Sequence, residues 1–323
     1  MRKIDTLRIS VTDRCNLRCI YCMPPEGVAL IPHEEVLRFE EIERVTRAAA
    51  RAGARKVRIT GGEPLVRANV VELVRRLARI EDVLDLPMTT NGVLLAEKAR
   101  DLKAAGLSRV TVSLDTLRPE RFARIAGSPG LDRVRLGIEA ALAAGLVPLK
   151  VNVVVVPGEN DDEVEAFARL AAELDLEVRF IERMPIFGHG RGPHCGLTGA
   201  SYLPSAAIRD RIGAALGPLE PVIATGSSPA RVFRLPGGKG RIGFISPISE
   251  PFCRYCSRMR LTPDGKLRAC LAQELELDVK GPLRSGIDDD GLLELYRRAV
   301  GMKPKQDAAC FSAKDRVMSQ IGG

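Results

Sequence analysis

The stretch LRISVTDRCNLRCIYC, residues 7–22, joins a short run of apolar and β-branched residues to a polar loop with three cysteines. Similar apolar runs recur along the chain, and each is followed by apolar residues at helical spacing. Alternation of this kind predicts a parallel sheet covered by helices. The predicted strands are 7–12, 56–60, 85–90, 109–115, 149–156 and 177–182, and the predicted helices are 34–52, 68–80, 94–105, 120–125, 132–144 and 162–174.

The ends of these strands favour one of two parallel-sheet architectures. Six strand–helix units suit either a doubly wound sheet or an incomplete barrel, and we expect both faces of the strands to be apolar. The strands end in polar or Gly-rich clusters, namely TDRCNLRC, TGGEP, TTNG, SLD and ERM. A ring of such loops at the carboxyl ends of the strands is typical of a barrel with one shared pocket. The sequence therefore predicts an incomplete (βα)6 TIM-type barrel of the α/β class.

The amino-acid composition of the chain changes near Gly188. The residues that follow are richer in Gly and Pro and contain two strand-like runs, ARVFRL and GRIGFIS. We expect a partial barrel over 1–187 and a C-terminal extension over 188–323 that packs against it and carries a second group of cysteines. The pattern gives no assignment for residues 185–205.

The composition excludes several classes of protein. Of 323 residues, 45% are hydrophobic and 28% are charged, which is typical of a globular protein. No apolar run is long enough to cross a membrane and the N-terminus lacks the apolar core of a secretory signal, so we expect a cytoplasmic protein. The net charge of +8 suits an anionic partner. Aromatic residues are 4% and Trp is absent, so a phosphorylated small molecule is favoured over nucleic acid.

The first group of cysteines is Cys15, Cys19 and Cys22. Three thiolates close together on one loop suit zinc or an iron–sulfur cluster. A structural zinc site needs a fourth ligand, and the next histidine is His33. A four-iron cluster held by three cysteines leaves one iron open to a small molecule. An iron–sulfur cluster is therefore the first interpretation, and a zinc knuckle is the alternative.

The second group is Cys253, Cys256 and Cys270, within FCRYCSRMRLTPDGKLRAC. Again three cysteines lie together, so a second cluster with an open iron is one interpretation. The alternative is a zinc ribbon completed by Cys310 or a histidine. Cys195 and Cys310 match no cluster motif, and we interpret them as free thiols.

The first triplet, with Tyr21 before its last cysteine, resembles the motif of the radical S-adenosylmethionine superfamily. The resemblance extends over the whole chain and is most specific to the GTP 3′,8-cyclase family, also called the molybdenum cofactor biosynthesis protein A family. The matching pieces are LRISVTDRCNLRCIYCMP, RITGGEPL, TTNG, VSLD, KVNVV, RFIERM, CSRMRLTPDGKLRACL and the final Gly322-Gly323.

This resemblance implies two [4Fe–4S] clusters and S-adenosylmethionine as cofactors. The first triplet would ligate the cluster that cleaves S-adenosylmethionine, and the second triplet would ligate a cluster that faces the guanine of GTP. The resemblance also implies that the Gly-Gly tail acts near the active site. The positions that match the family's cofactor contacts are Tyr21, Gly62, Ser113 and Met184, and those that match its GTP contacts are Arg8, Arg58, Thr89, Lys150, Arg258, Met259 and Arg260.

The reaction implied is the cyclisation of GTP to (8S)-3′,8-cyclo-7,8-dihydroguanosine 5′-triphosphate, the first step of molybdopterin biosynthesis. The expected partners are an electron donor, the next enzyme of that pathway and a second copy of the chain in a homodimer, with no nucleic acid and no membrane. Two alternatives stay open. One is another radical S-adenosylmethionine enzyme with an auxiliary cluster, such as one that modifies a peptide. The other is a zinc-stabilised nucleic-acid-binding protein.

Overall fold

The computed structural model describes residues 3–24, 26–184, 202–223, 228–304 and 316–322. These residues form a twelve-stranded sheet with helices packed along one side of its parallel part. The strands are β1 (Thr6–Ser10), β2 (Lys56–Thr60), β3 (Met88–Thr90), β4 (Val110–Ser113), β5 (Lys150–Val155), β6 (Glu177–Glu182), β7 (Glu220–Val222), β8 (Arg231–Arg234), β9 (Arg241–Ile245), β10 (Arg258–Leu261), β11 (Lys266–Arg268) and β12 (Glu276–Asp278).

The strands lie in the order β12–β11–β10–β1–β2–β3–β4–β5–β6–β9–β8–β7. All neighbours from β10 through β1–β6 to β9 are parallel, and antiparallel strands extend both edges. The six predicted strand–helix units are therefore confirmed, in the predicted order. The helices are α1 (Phe39–Arg51), α2 (Val70–Ala78), α3 (Leu95–Ala104), α4 (Pro119–Ala126), α5 (Leu131–Ala143), α6 (Val164–Glu173), α7 (Ser205–Leu216), α8 (Lys280–Arg284), α9 (Asp289–Gly301) and α10 (Met318–Ile321).

The predicted helix over 34–52 is wrong in its first turn. Residues His33–Glu35 form a short 3₁₀ helix, and the backbone is extended at Val36 and Arg38. The helix α1 starts at Phe39, because the Glu41 carboxylate accepts a hydrogen bond from the backbone N–H of Arg38 at 2.7 Å and so satisfies a donor at the helix start.

The expectation that the strands are apolar on both faces is also wrong. In β1, Leu7 and Ile9 are fully buried in the main hydrophobic core, whereas Thr6 and Arg8 line an internal cavity. The same alternation occurs in β2, where Lys56 and Arg58 line the cavity. Successive residues of a strand point to opposite faces, so one face packs under the helices and the other surrounds a polar interior.

The C-terminal part of the chain joins the barrel sheet at both edges. Its strands β8 and β9 correspond to the predicted runs ARVFRL and GRIGFIS. Strand β9 pairs with β6, and β10 pairs with β1. The segment between β9 and β10 therefore connects opposite edges of the parallel sheet, and it carries Cys253 and Cys256. Among the described helices, none is long and apolar enough to cross a membrane.

Candidate active site

A row of arginines crosses three neighbouring strands inside the barrel. In the parallel register, Arg8 of β1 lies beside Arg260 of β10 on one side and beside Arg58 of β2 on the other. All three side chains line the same cavity. Charged residues in strands are poorly placed unless they line a polar space or bind a ligand, so this row marks the interior as a binding site.

The cavity has a volume of about 440 Å³, which is in the range of small-molecule sites. Its lining is strongly cationic. Among the described residues that line it, ten side chains are cationic and one, Glu177, is a carboxylate. The cationic side chains are Arg8, Lys56, Arg58, Arg109, Lys150, Arg179, Arg241, Arg258, Arg260 and Lys303.

The arginines of the cavity lie close to one another, and Glu177 is the only carboxylate among the described residues that line it. Burial, together with the charges of Arg179 and Arg109, lowers the pKa of Arg58 to about 9. Burial and the neighbouring Arg258 lower the pKa of Arg260 to about 9 as well, and the pKa of Arg8 is also lowered, first by burial and then by Arg260. Such shifts mean that the charged forms are disfavoured in the absence of a ligand. A bound polyanion would relieve this repulsion.

Part of the cationic wall is organised by hydrogen bonds between neighbouring strands. Arg58 donates to the hydroxyls of Thr89 and Thr111, at 3.0 and 3.1 Å. Lys150 donates to Glu177 at 2.8 Å, and Glu177 also accepts from Arg179. These contacts fix the donors in place before a ligand binds.

The second cysteine triplet lies on the wall of this cavity. Strands β10 and β11 form an antiparallel pair, so Cys256, which precedes β10, and Cys270, which follows β11, lie at the same end of the pair. Arg258 donates to the Cys256 sulfur at 3.4 Å. Burial raises the pKa of Cys256, but the Arg258 and Lys303 charges outweigh it and lower the pKa to about 6. This environment favours a thiolate, the form that ligates metal.

The first triplet lies in the loop after β1. The loop is fixed by its backbone, because the N–H groups of Arg18 and Ile20 donate to carbonyls at the end of α4, at 2.8 and 3.0 Å. The Cys15 sulfur accepts from the Leu17 N–H at 3.4 Å and from the Asn91 amide at 3.9 Å. Burial, and then the charge of Asp115, raises the pKa of Cys19.

Tyr21 connects this loop to the centre of the barrel. Its hydroxyl donates to the Asp115 carboxylate at 2.5 Å, and Asp115 also accepts from the Val154 N–H at 2.8 Å. Burial raises the pKa of Asp115 to about 6, although these two donors oppose the shift. Tyr21 therefore lies between the cysteine loop and the ends of β4 and β5.

The GGEP segment packs directly against the first cysteine loop. A Cβ atom on Gly62 would lie 2.4 Å from the carbonyl oxygen of Arg14, so only glycine fits this close approach. The Glu63 carboxylate is buried and accepts hydrogen bonds from the Leu65 N–H, the Asn91 N–H and the Thr90 hydroxyl, at 2.6–3.0 Å. Burial nevertheless raises its pKa to about 7.

The two triplets lie at opposite ends of β1 and β10. These strands are parallel, the first triplet follows β1, and Cys253 and Cys256 precede β10. A five-residue strand spans roughly 15 Å at about 3.3 Å per residue. The first triplet does not belong to the described residues that line the cavity. The two triplets therefore lie at opposite ends of the strands, and only the second triplet lies on the cavity wall.

The C-terminal segment reaches the space between the triplets. Arg260 donates to the carbonyl oxygen of Gly322, and a Cβ atom on Gly322 would lie 2.4 Å from the Thr60 hydroxyl and 3.1 Å from the Ser10 Cβ. Ile321 is buried and packs against Met184, which also lines the cavity. The tail therefore lies at the carboxyl ends of β1 and β2. Gly323, Cys195, Cys310 and most of 185–205 lie outside the described residues.

The thiol groups suit clusters better than single ions. Among the described residues, the six cysteines of the two triplets form no disulfide bond with one another. In the described part of the chain, no three His, Cys, Asp or Glu side chains converge as a single metal ion requires. Three thiols around a four-iron cluster are spaced more widely than three ligands of one zinc ion. The donor type and the partly buried positions of both triplets therefore fit iron–sulfur clusters.

The other predicted residues are placed as follows. Thr89, Lys150, Arg258 and Met184 line the cavity. Ser113 is half-buried at the end of β4, in register with Asn152 of β5. The side chain of Met259 packs in the hydrophobic core.

Sequence reasoning missed several residues of the site. The missed cations of the wall are Lys56, Arg109, Arg179, Arg241 and Lys303. For Lys56 and Arg179 the signal was available, since each lies two residues from another charged position within a predicted strand. Asn152 was also missed, and its buried Oδ1 lacks a hydrogen-bond partner in the described structure.

The sequence did not predict that Glu182 links several segments of the chain by hydrogen bonds. Its carboxylate is fully buried and accepts from the N–H groups of Ser205, Ile248 and Ser249, at 2.9, 3.0 and 2.9 Å. The end of β6 is thereby attached to the segment that leads to Cys253. Its position in the ERM cluster was visible in the sequence, but these partners are distant in the chain.

Comparison with known proteins now connects this geometry to a family. The Radical SAM superfamily model matches residues 9–171, and the Molybdenum Cofactor Synthesis C model matches residues 176–309. The chain is 50% identical to the GTP 3′,8-cyclase of Moorella thermoacetica, over all of this chain and 98% of that protein. The chain belongs to the GTP 3′,8-cyclase family. It is also similar, at 51% identity over the same shares, to the family member from Heliobacterium modesticaldum.

Solved structures of more distant proteins share the fold of this family member. The structure of Streptococcus suis SuiB bound to S-adenosylmethionine superimposes with a TM-score of 0.59 at 14% identity. The match covers 86% of this chain and 63% of SuiB, less than two thirds of that longer protein. At this identity the likeness supports the radical S-adenosylmethionine fold, and the incomplete barrel predicted from sequence is confirmed.

Proposed function

We propose that this chain is a GTP 3′,8-cyclase, which converts GTP to (8S)-3′,8-cyclo-7,8-dihydroguanosine 5′-triphosphate in the first step of molybdenum cofactor biosynthesis. The observation that carries the proposal is the row of Arg260, Arg8 and Arg58 in one cavity with a cysteine triplet on its wall. A triphosphate supplies negative charge to balance the ten cationic side chains among the described lining residues, and guanidinium groups bind phosphate oxygens in pairs.

The first triplet would hold one [4Fe–4S] cluster, and Cys253, Cys256 and Cys270 would hold the other. When bound, the first cluster and S-adenosylmethionine would supply the radical chemistry that joins the ribose 3′ carbon of GTP to carbon 8 of its guanine. The two triplets lie at opposite ends of β1, and a nucleotide bound between them would have its base near the second triplet and its ribose toward the first.

The residues near the first triplet would position S-adenosylmethionine. Gly62 allows the GGEP segment to pack closely against the first cysteine loop, and Glu63 is a buried acceptor beside it. Tyr21, Ser113 and Met184 lie around the same end of the barrel. Asn152, whose buried Oδ1 lacks a partner in the described structure, offers a further acceptor to a ligand hydroxyl or amine.

The cationic wall would position GTP. Arg58 donates to Thr89 and Lys150 donates to Glu177, and these groups on β2, β3 and β5 line the same cavity. Arg8, Arg258 and Arg260 lie beside the second triplet. For Met259, whose side chain is in the core, the backbone is the part that we propose to face GTP. Gly322 and Gly323 would close the barrel over the substrate, which keeps water and side chains away from a reactive radical.

We also propose that the chain divides into a partial barrel over 1–187 and an extension over 188–323, and that the protein is cytoplasmic. Its proposed partners are an electron donor, the next enzyme of the pathway and a second copy of the chain in a homodimer.

The decisive experiment is an anaerobic assay of reduced, cluster-reconstituted protein with GTP and S-adenosylmethionine, with mass analysis of the product. We expect 5′-deoxyadenosine and the cyclised nucleotide in equal amounts. Formation of 5′-deoxyadenosine only when a peptide is added would show that the substrate is wrong. Zinc without iron or acid-labile sulfide in anaerobically purified protein would contradict both clusters.

A further inference from the structure

Lys303 lies just beyond the end of α9, and 8% of its surface is exposed. Its ammonium group donates to the carbonyl oxygen of Arg258 at 2.7 Å and to that of Ala269 at 2.8 Å. The charge of Cys256 lies close enough to favour the charged form of this ammonium group. A lysine ammonium has three donors and no acceptor, and two of its hydrogen bonds go to these carbonyls.

The two carbonyls lie where β10 begins and just after β11 ends, next to the segments that carry Cys256 and Cys270. Arg258 is two residues after Cys256, and Ala269 is the residue before Cys270. The pairing of β10 with β11 joins Arg260 to Arg268 and Leu261 to Leu267. Lys303 therefore bridges the strands beyond the last pair of the ladder, at the end where the thiols lie.

The charge of Lys303 also has a direct electrostatic relation to the thiols. Cys256 and Cys270 both interact with the ammonium group. Thiolates that hold an iron–sulfur cluster are negatively charged, and the cluster gains one more negative charge when it is reduced. A fixed positive charge nearby stabilises the reduced form more than the oxidised form, so it raises the reduction potential.

We propose that Lys303 is a positioning residue for the second cluster, where it holds the strands of Cys256 and Cys270 together and raises the reduction potential of the cluster bound to them. This inference rests on the proposed function, because it requires a cluster at the second triplet. It concerns a residue that the sequence motifs do not mark and that lies beyond the last residue of the triplet.

The test isolates the second cluster in a parent protein that carries Cys15→Ser, Cys19→Ser and Cys22→Ser. In this parent, Lys303→Gln, Lys303→Met and Lys303→Arg are compared by iron and sulfide content and by a redox titration followed by electron paramagnetic resonance. Lys266→Met is the matched control, because Lys266 lies at the turn end of the same strand pair and binds Asp278.

We expect Lys303→Gln to keep its iron, since the amide still donates to carbonyls, but to have a more negative midpoint potential than the parent. Lys303→Met should have the more negative potential together with less iron, because it loses the donors as well. Lys303→Arg should restore both properties, and Lys266→Met should equal the parent.

Two results would overturn the role of Lys303. One is a midpoint potential in Lys303→Gln equal to that of the parent. The other is equal iron loss in Lys303→Met and Lys303→Arg, which would mean that side-chain shape matters and charge does not. A parent that binds no iron, in an otherwise folded state by circular dichroism, would instead contradict the proposed function itself.

Discussion

The guanidinium of Arg260 donates a hydrogen bond to the carbonyl oxygen of Gly322, so an arginine of the cavity wall holds the C-terminal segment of the chain. Arg260 follows Cys256 by four residues and lies beside Arg8 in the sheet register. The tail, the cationic cavity and the second triplet are thereby connected through one side chain. Anything that displaces the tail should therefore affect substrate binding before it affects the clusters.

Gly322→Ala tests this connection. The new Cβ would lie 2.4 Å from the Thr60 hydroxyl, and Gly322 has a φ of +71°, which disfavours a side chain. We expect product formation to fall on the order of a hundredfold, because small displacements in an active site have large effects on rate. Iron content should not change. Gly213→Ala is the control, because a Cβ there meets no atom within 4 Å. Wild-type rates in Gly322→Ala would show that the position of the tail is unimportant.

The two triplets should differ in their effects when a single cysteine is removed. Cys19→Ser should abolish cleavage of S-adenosylmethionine, because this triplet lies at the end of the barrel that carries GGEP. Cys270→Ser should leave some cleavage and abolish the cyclised product. Both are measured as 5′-deoxyadenosine and nucleotide product in the anaerobic assay. Cys310→Ser serves as control, since its cysteine matches no cluster motif. Equal loss of both activities in the two variants would contradict separate roles.

Arg58→Met should weaken GTP binding selectively. A hydrogen bond to a charged group contributes about 1.5–3 kcal/mol, which corresponds to a rise in the KM for GTP of roughly 10- to 100-fold. The KM for S-adenosylmethionine should not change, because that cofactor would bind at the first triplet, at the opposite end of β1. Arg133→Met is the control, since that side chain is 57% exposed on the outer helix layer. A parallel rise of both KM values would indicate a general structural defect.

The buried Glu63 should make the stability of the ligand-free protein depend on pH. Burial raises its pKa to about 7, so the folded chain binds a proton more tightly than the unfolded chain does. The contribution of Glu63 to the free energy of unfolding is then largest at low pH. It falls by about 3 kcal/mol as the pH rises toward 7. Asp115, with its pKa raised to about 6, acts in the same direction.

Glu63→Gln should therefore reduce this fall without abolishing it. The measurement is the urea midpoint between pH 5.5 and 7.5, without nucleotide or S-adenosylmethionine. Glu173→Gln, at the exposed end of α6, should show the wild-type dependence. An unchanged slope in Glu63→Gln would mean that the carboxylate is already charged at pH 5.5.

The amino-acid sequence by itself determined the order of strands and helices, because apolar periodicity reflects which face of each element is buried. It also determined both cysteine triplets and the GGEP loop, since these depend on residues that are close together in the chain. The start of α1 was missed because capping by Glu41 depends on one local hydrogen bond that periodicity does not show.

Which charged side chains share a cavity depends on the folded chain as a whole. Arg8, Arg58 and Arg260 are far apart in sequence, and parallel pairing places them side by side. The same holds for Lys303 and for Gly322, whose contacts depend on how the C-terminal part joins both edges of the sheet. Periodicity describes one element at a time, whereas a binding site is made by the register between elements, and register is set by the packing of the whole chain.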